Sequence, residues 1–262
     1  MNQAERMIEI VNYLKKHKRV RIEDICQLCE VSRDTARRDL VKLDEAGAII
    51  RTRGGALLPS LKKEVKGFED RLHAVSEEKR GIGQLAAQLV SDDDNNIMDT
   101  STTVQACAEY LSNINFTVVT NSINLADRLT EHLGVNIHLL GGQLNKQHRY
   151  LYGPSVIKKL DEYRANKAFI GVLGITERGI TSAHEDDGFV KNKMMEQADQ
   201  VIVLADHSKF GLSGFYKFAS LTSIDLIITD IEPNKEILEM LDQHGVEVLA
   251  VDQRKENLNK PY

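Results

Sequence analysis

Three arginines lie close together in the segment SRDTARRDL, residues 32–40. If this segment begins a helix with Ala36 facing a core, the residues that point away from the core are Arg33, Asp34, Arg37, Arg38 and Val41, with Thr35 at the edge. Arginine presents paired donors that match guanine or a phosphate group. The spacing therefore predicts a helix that contacts nucleic acid.

The elements that must position these arginines are three short helices. Apolar residues recur at helical spacing in three stretches, at residues 7–14, 22–29 and 36–43. Only residues 30–32 separate the second stretch from the third, which is typical of the turn in a helix-turn-helix motif. Ser32 is predicted to cap the third helix at its N-terminus, and Gly47 is predicted to follow its C-terminus.

A basic ribbon follows, because IIRTRGGAL, residues 49–57, alternates β-branched residues with Arg51 and Arg53 before two glycines. This pattern predicts the wing of a winged helix. Residues 1–66 contain 15 Lys and Arg against 10 Asp and Glu, a balance of +5, whereas the remaining 19 and 29 give −10. A merely solvated charged face is disfavoured because helix pattern, wing and basic balance coincide.

Short apolar runs alternate with helix-period segments in the rest of the chain, which predicts a Rossmann-like α/β domain with a mostly parallel sheet. The predicted strands are residues 96–98, 116–120, 136–140, 168–172, 201–205, 225–229 and 247–251. The predicted domains are a winged helix-turn-helix at 1–58, a linker at 59–75 and a sensor domain at 76–262, whose first helix Ser76 would cap.

Parallel sheets bind ligands at the carboxyl ends of their strands, so the residues just after each strand form a candidate set. They include Asp99, Thr100, Ser101, Thr102, Thr103, Thr120, Asn121, Ser122, Gly141, Gly142, Gly171, Gly174, Asp206, His207, Ser208, Lys209 and Asp230. Hydroxyl-rich turns suit a phosphate monoester, and neither a dinucleotide nor a nucleoside triphosphate motif is present. The alternative is that these Ser and Thr residues merely cap helices.

Residues 31–57 resemble the signature of the DeoR family of bacterial transcriptional regulators, with Ala36 and Arg53 in place of the usual isoleucine and histidine. The resemblance extends to about residue 250 and implies a sensor domain similar to sugar-phosphate isomerases and deaminases. Ligand roles are implied for Asp99, Thr102, Thr103, Thr120, Asn121, Ser122, Gly141, Gly142, Asp187, Lys191, Asp206, Ser208 and Lys209. Departures occur at Ser101, Leu173, Asp187, Gly188 and His207.

The predicted function is a repressor of a carbohydrate-utilisation operon that binds double-stranded operator DNA as a dimer or tetramer and is released by a phosphorylated sugar. The alternative is a sugar-phosphate isomerase or deaminase with a DNA-binding module. Leu173 disfavours that enzyme, because it stands where the family often has an aspartate and cannot act as a base. A third reading is a regulator whose altered site, at Ser101 and Gly188, responds to another signal.

The remaining composition indicates a soluble cytoplasmic protein without a cofactor or metal. The start, MNQAERMIEI, does not resemble a signal peptide, and no apolar run is long enough for a membrane span. The three cysteines are expected in helix cores rather than in disulfides or a zinc site. The acidic run after His184 is expected to be a solvated loop, and His148, Arg149 and Tyr150 either flank the sugar or form a plain loop.

Overall fold

A computed structural model describes residues 2–45, 48–57, 77–111 and 114–251, apart from the side chain of Lys15. The chain forms two compact units, Met1–Val65 and Lys66–Tyr262. Gly47, Ser76 and the linker predicted at 59–75 lie outside the described residues.

The first unit is a three-helix core with a small antiparallel sheet. Its elements are α1 (Gln3–His17), β1 (Arg19–Arg21), α2 (Ile22–Cys29), α3 (Arg33–Glu45), β2 (Ile50–Thr52) and β3 (Gly55–Leu57). The strands pair in the order β1-β3-β2, so that β2 and β3 form the predicted wing. Gly55 is required where the strands meet, because a Cβ there would lie 1.9 Å from the Val20 carbonyl oxygen.

Each of the three predicted apolar stripes contributes to one core. Ile10 and Leu14 of α1, Ile25 of α2, and Ala36 and Leu40 of α3 are almost completely buried. Burial of these faces leaves the opposite face of α3 in solvent. The packing of α2 and α3 across residues 30–32 therefore confirms the predicted helix-turn-helix.

The second unit is built on a seven-stranded parallel sheet in the order β15-β14-β12-β9-β4-β5-β6. The strands are β4 (Asn95–Met98), β5 (Phe116–Thr120), β6 (Val135–Leu139), β9 (Ala165–Gly171), β12 (Ala198–Leu204), β14 (Leu226–Thr229) and β15 (Glu247–Ala250). Each strand corresponds to a predicted apolar run, which confirms the α/β fold class. Because all seven strands are parallel, their carboxyl ends meet at one edge.

Helices cover both faces of this sheet, as parallel strands require. They are α4 (Glu77–Ala87), α5 (Thr102–Ala108), α6 (Ile123–Leu129), α7 (Pro154–Leu160), α8 (Glu185–Glu196) and α9 (Lys235–Asp242). The side chains of successive strand residues point to opposite faces of the sheet. Ile97 therefore packs in one apolar cluster and Met98 in the other.

Two small antiparallel sheets, which the sequence did not predict, extend this framework. One is the hairpin of β7 (Gln143–Asn145) and β8 (Tyr150–Tyr152), and the other contains β10 (Gly174–Thr176), β11 (Gly179–Ser182) and β13 (Tyr216–Ala219). The expected loop after His184 is wrong, because Glu185 begins α8. Acidic residues in a first helical turn interact favourably with the helix dipole.

Candidate functional site

The third helix of the first unit presents the predicted basic surface. Ser32 accepts a hydrogen bond from the backbone N–H of Thr35 at 3.3 Å, which makes it the predicted cap. The Ser32 and Thr35 hydroxyls also lie 3.0 Å apart, so both side chains are engaged at the helix start. The four charged residues that follow, Arg33, Asp34, Arg37 and Arg38, are all exposed.

The three arginines of α3 differ in their partners. Arg33 binds Glu23 of α2 at 2.7 Å, which joins the two helices of the motif. Arg37 lies 3.8 Å from Asp34, one turn earlier on the same helix. Arg38 has no hydrogen-bond or ion-pair partner among the described residues. Arg38 is therefore free to donate to a ligand without first breaking a contact.

A buried ion pair, which was not predicted from the sequence, holds α3 against α1. Asp39 is fully buried and accepts hydrogen bonds from Arg6 Nε and Gln3 Nε2, both at 2.8 Å. Burial by itself would raise the pKa of Asp39, but the donors from Arg6 and Gln3 outweigh it and lower the pKa below its usual value. The spacing that exposes Arg37 and Arg38 turns Asp39 inward.

The wing carries both of its predicted arginines in solvent. Arg51, in β2, and Arg53, in the turn from β2 to β3, are both exposed. The backbone N–H of Arg51 reaches the carboxylate of Asp44 at 3.4 Å, which ties the wing to the end of α3. Helix and wing together form a basic surface suited to duplex DNA.

A charged cluster lies where β4 and β9 end in the second unit. Asp99 accepts hydrogen bonds from the backbone N–H groups of Ser101 at 2.8 Å and Gly171 at 3.0 Å. The Lys191 ammonium lies 3.1 Å from Asp99 and 3.2 Å from Asp187, and donates to the Gly171 carbonyl at 2.8 Å. Three acceptors thus surround a buried cation.

The groups around Lys191 determine its protonation state. Burial alone would lower the pKa of Lys191, but the carboxylates of Asp187 and Asp99 outweigh it and raise the pKa above its usual value. Ser182 donates to Asp187 at 2.6 Å, which completes the network. Lys191 therefore remains charged and holds the ends of β4, β9 and β11 together.

Ser101, one of the departures from the DeoR-family motif, caps a helix and packs beside a glycine of the neighbouring strand. Its Oγ accepts from the Val104 N–H at 3.0 Å and caps α5. A Cβ added at Gly171 would lie 2.2 Å from the Ser101 side chain, so serine fills the space that glycine leaves on the neighbouring strand. Thr102 and Thr103 follow and are buried. Gly188, another departure, is similarly matched, because a Cβ there would lie 2.4 Å from the Tyr216 ring.

Five buried side-chain polar atoms have no hydrogen-bond partner among the described residues, and two of the five lie at adjacent strand ends. These two are Thr100 Oγ1, after β4, and Asn121 Oδ1, after β5. The amide nitrogen of Asn121 is engaged, since it donates to the Leu151 carbonyl at 3.0 Å. Thr120 and Ser122 are used internally: Thr120 accepts from the Ser122 N–H at 3.1 Å, and Ser122 caps α6.

The end of β12 carries a second charged group. Asp206 accepts hydrogen bonds from the backbone and hydroxyl of Ser208, and lies 3.5 Å from the Lys209 ammonium. His207 turns to the end of β14, where its Nδ1 lies 2.6 Å from Asp230. This hydrogen bond with Asp230 raises the pKa of the His207 imidazole. Because β12 pairs with β9, Asp206 and Lys209 lie beside the cluster at the end of β9.

The tip of the β7–β8 hairpin reaches the start of α8. The Nε2 atoms of His148 and His184 are 3.1 Å apart, so one ring donates and the other accepts. Burial and then the nearby Asp187 carboxylate raise the pKa of Tyr150 on the same hairpin. Of the two glycines after β6, Gly141 is unobstructed, whereas a Cβ at Gly142 would lie 2.6 Å from the Tyr152 carbonyl oxygen.

These features define a DNA-binding regulator, with a winged helix-turn-helix in one unit and a polar sheet edge in the other. The helix-turn-helix matches the family model of the DeoR-like helix-turn-helix domain at residues 6–62, and the second unit matches the DeoR C terminal sensor domain at residues 74–231. The chain belongs to the DeoR family.

Two relatives match nearly the whole chain, and one solved structure matches about half of it. The HTH-type transcriptional repressor GlcR of Bacillus subtilis is 57% identical over 97% of this chain and 98% of its own length. The glycerol-3-phosphate regulon repressor of Escherichia coli K12 is 29% identical over 95% of this chain and 99% of its own. Ribose 5-phosphate isomerase A of Methanocaldococcus jannaschii is 16% identical, with a TM-score of 0.37 and coverage of 54% of this chain and 55% of that one.

The chain is thus a transcriptional regulator rather than an enzyme, which excludes the alternative of an isomerase or deaminase with a DNA-binding module. Leu173 adds no carboxylate; its backbone N–H donates to the Thr181 carbonyl at 2.9 Å. No described helix is long and apolar enough to cross a membrane. Among the same residues, no three His, Cys, Asp or Glu side chains form a metal-binding group.

Proposed function

We propose that this regulator represses an operon for carbohydrate use and that a phosphorylated sugar, bound at the carboxyl edge of the parallel sheet, releases it from operator DNA. The family assignment supports the DNA-binding half of the proposal. One relative is named for the regulon of glycerol 3-phosphate, a phosphorylated polyol, which supports the same chemical class here. To act as a switch, the sugar must bind the DNA-competent and released states with different affinity.

The observation that carries the effector half is the pair of unpartnered atoms, Thr100 Oγ1 and Asn121 Oδ1. A buried polar group without a partner costs about 1–3 kcal/mol. Both atoms lie at the ends of neighbouring strands, which brings them to one part of the edge. A sugar hydroxyl donates and accepts hydrogen bonds, so one sugar satisfies an amide oxygen and a threonine hydroxyl together.

Lys209 is the better candidate for the cation that binds the phosphate. The ammonium of Lys191 is enclosed by Asp99, Asp187 and the Gly171 carbonyl, so a phosphate would have to displace them. Among the residues that the structure describes, the Lys209 ammonium contacts only Asp206, at 3.5 Å, and the side chain is partly exposed. A phosphate monoester carries close to two negative charges at pH 7, and a lysine supplies a charge-assisted donor. We therefore assign Lys191 to positioning and Lys209 to binding.

The DNA surface of one chain is small, so the proposal includes a homo-oligomer on repeated or inverted half-sites. Two recognition helices in successive major grooves lie about 34–36 Å apart, or a multiple of that. Light scattering of the full chain, with and without selected DNA, measures the assembly. A monomer in both conditions would contradict this part of the proposal.

The test of the effector half uses Thr100→Val and Lys209→Ala, with Lys158→Ala as a control for loss of an exposed lysine. An operator is first selected from a random duplex pool with the wild-type protein. Its release is then titrated with phosphorylated hexoses, pentoses and ketoses, beside a melting curve for each protein. We expect both site variants to bind operator normally and to require more sugar phosphate for release, while Lys158→Ala behaves as wild type.

Thr100→Val separates a ligand role from a structural one. Valine has the shape of threonine without the unpartnered hydroxyl, so the ligand-free variant should melt at the same temperature or higher. A lower melting temperature with normal release would show that the hydroxyl stabilises the fold instead. If no phosphorylated sugar releases or stabilises the wild-type protein, the third reading, a regulator with another signal, replaces this one.

A further inference from the structure

One acidic side chain stands among the arginines of the recognition helix. Asp34 is the second residue of α3, and its side chain is 83% exposed. Its neighbour Arg33 is already paired with Glu23, and Arg37 approaches it at 3.8 Å, near the limit of an ion pair. Asp34 therefore carries a nearly uncompensated negative charge on a surface that faces a polyanion.

Such a charge is unfavourable in nonspecific binding. Phosphate groups repel a carboxylate, and this repulsion applies on every DNA sequence. An acidic residue in the first turn does stabilise its helix, but it does so from any position in that turn and without facing DNA. The N-terminal residues of a recognition helix are those that reach base edges. We therefore expect Asp34 to have a hydrogen-bond donor as a partner in the groove, which would offset the repulsion by the phosphate groups.

The major groove offers few such partners, because a carboxylate only accepts hydrogen bonds. Guanine and thymine present acceptors where they face the groove, and adenine sets its N6 donor beside the N7 acceptor. Cytosine presents its N4 amine and has no acceptor of its own in the major groove, and it is the base with which Asp and Glu pair. Cytosine is therefore the base that satisfies Asp34 without a second repulsion.

We propose that Asp34 is a specificity-determining residue that reads a cytosine in each operator half-site and penalises the other bases at that position. Arg37, one helical turn away, then exchanges its loose contact with Asp34 for a base or phosphate. This inference rests on the DNA interface proposed above. A correct base contact corresponds to about fivefold to 150-fold discrimination against the wrong base.

The test is a selection of binding sites from a random duplex pool by the full-length protein, performed with wild type, Asp34→Ala, Asp34→Asn and Glu45→Ala. Glu45→Ala makes the same change of charge at the far end of the same helix. We expect wild type and Glu45→Ala to select one invariant C·G pair per half-site that Asp34→Ala no longer requires. Asp34→Asn should move the preference at that pair to A·T, because an amide pairs with adenine N6 and N7.

Affinity for mixed-sequence duplex distinguishes this role from a helix-stabilising one. Asp34→Ala should bind such DNA at least as tightly as wild type, because it removes a carboxylate that the phosphate groups repel. If Asp34→Ala keeps every base preference, or loses affinity for all DNA equally, Asp34 is not a base reader. Failure of the interface itself has a separate signature, namely wild-type operator affinity in both Arg37→Ala and Arg38→Ala.

Discussion

Replacing Lys191 by methionine should destabilise the sensor domain strongly, since the ammonium is the cation common to two carboxylates. Its side chain is 9% exposed, and those of Asp99 and Asp187 are 1% and 11% exposed. Methionine retains much of the packing volume, so the loss is mainly electrostatic. Removing one partner of a buried ion pair costs about 3–5 kcal/mol. For a unit of this size, each kcal/mol lowers the melting temperature by about 2–4 °C, which gives roughly 6–20 °C.

The variant should also acquire a distinctive pH dependence. Without Lys191, the buried carboxylates of Asp99 and Asp187 lose the cation between them and repel each other. A carboxyl group with a raised folded pKa destabilises the protein above its unfolded pKa, and the penalty shrinks as the pH falls. The difference in melting temperature from wild type should therefore be larger at pH 8 than at pH 5.

Thermal unfolding followed by tyrosine fluorescence measures this effect, because the chain has no tryptophan and most of its tyrosines lie in the second unit. Lys158→Met serves as a control, since a substitution on the surface changes stability by less than about 0.5 kcal/mol. A melting temperature of Lys191→Met within 2 °C of wild type at both pH values would refute the assignment of Lys191 to a stabilising network.

Three further results are expected. Arg38→Ala should weaken binding to selected operator by about 1–3 kcal/mol and relax its sequence preference, whereas Arg51→Ala should weaken all DNA alike, as mobility shifts with both duplexes would show. His207→Ala should lower the melting temperature at pH 6 but less at pH 9, because Asp230 raises the imidazole pKa and that stabilisation is lost as the pH rises through the raised value. Gly171→Ala should yield little soluble folded protein, since its Cβ would lie 2.2 Å from a neighbouring serine side chain.

The sequence predicted the parallel sheet well because its central strands, β9 and β12, contain runs of apolar residues that are buried on both faces. Val201 to Leu204, for example, are all buried, so both faces of β12 are apolar. The strands of the two antiparallel sheets were not predicted because they have three or four residues and mixed polarity. In strands this short, the alternation of apolar and polar residues covers too few positions to be distinguished from the sequence of a loop.

The charged cluster was only partly predictable. Asp187 and Lys191 are four residues apart, a spacing that places both on one helix face, and this signal could have placed the acidic run on a helix. Their pairing with Asp99 depends on the neighbouring positions of β4 and β9 in the sheet, and local sequence does not contain that order. The same tertiary contact encloses the Lys191 ammonium. That enclosure is the reason why Lys209, rather than Lys191, is proposed as the cation that binds the phosphate.

The buried contact of Arg6 and Gln3 with Asp39 has an evolutionary consequence. It fixes the angle of α3 from the inner face, with no atom drawn from the outer face that carries Arg37 and Arg38. Substitutions of Arg37 or Arg38 therefore leave this buried contact intact. After a gene duplication, one copy can acquire a preference for a new operator through single substitutions of exposed residues. A change at Asp39 differs, because it removes the carboxylate that binds Arg6 and Gln3 and that holds α3 against α1, so it should weaken binding to every operator at once.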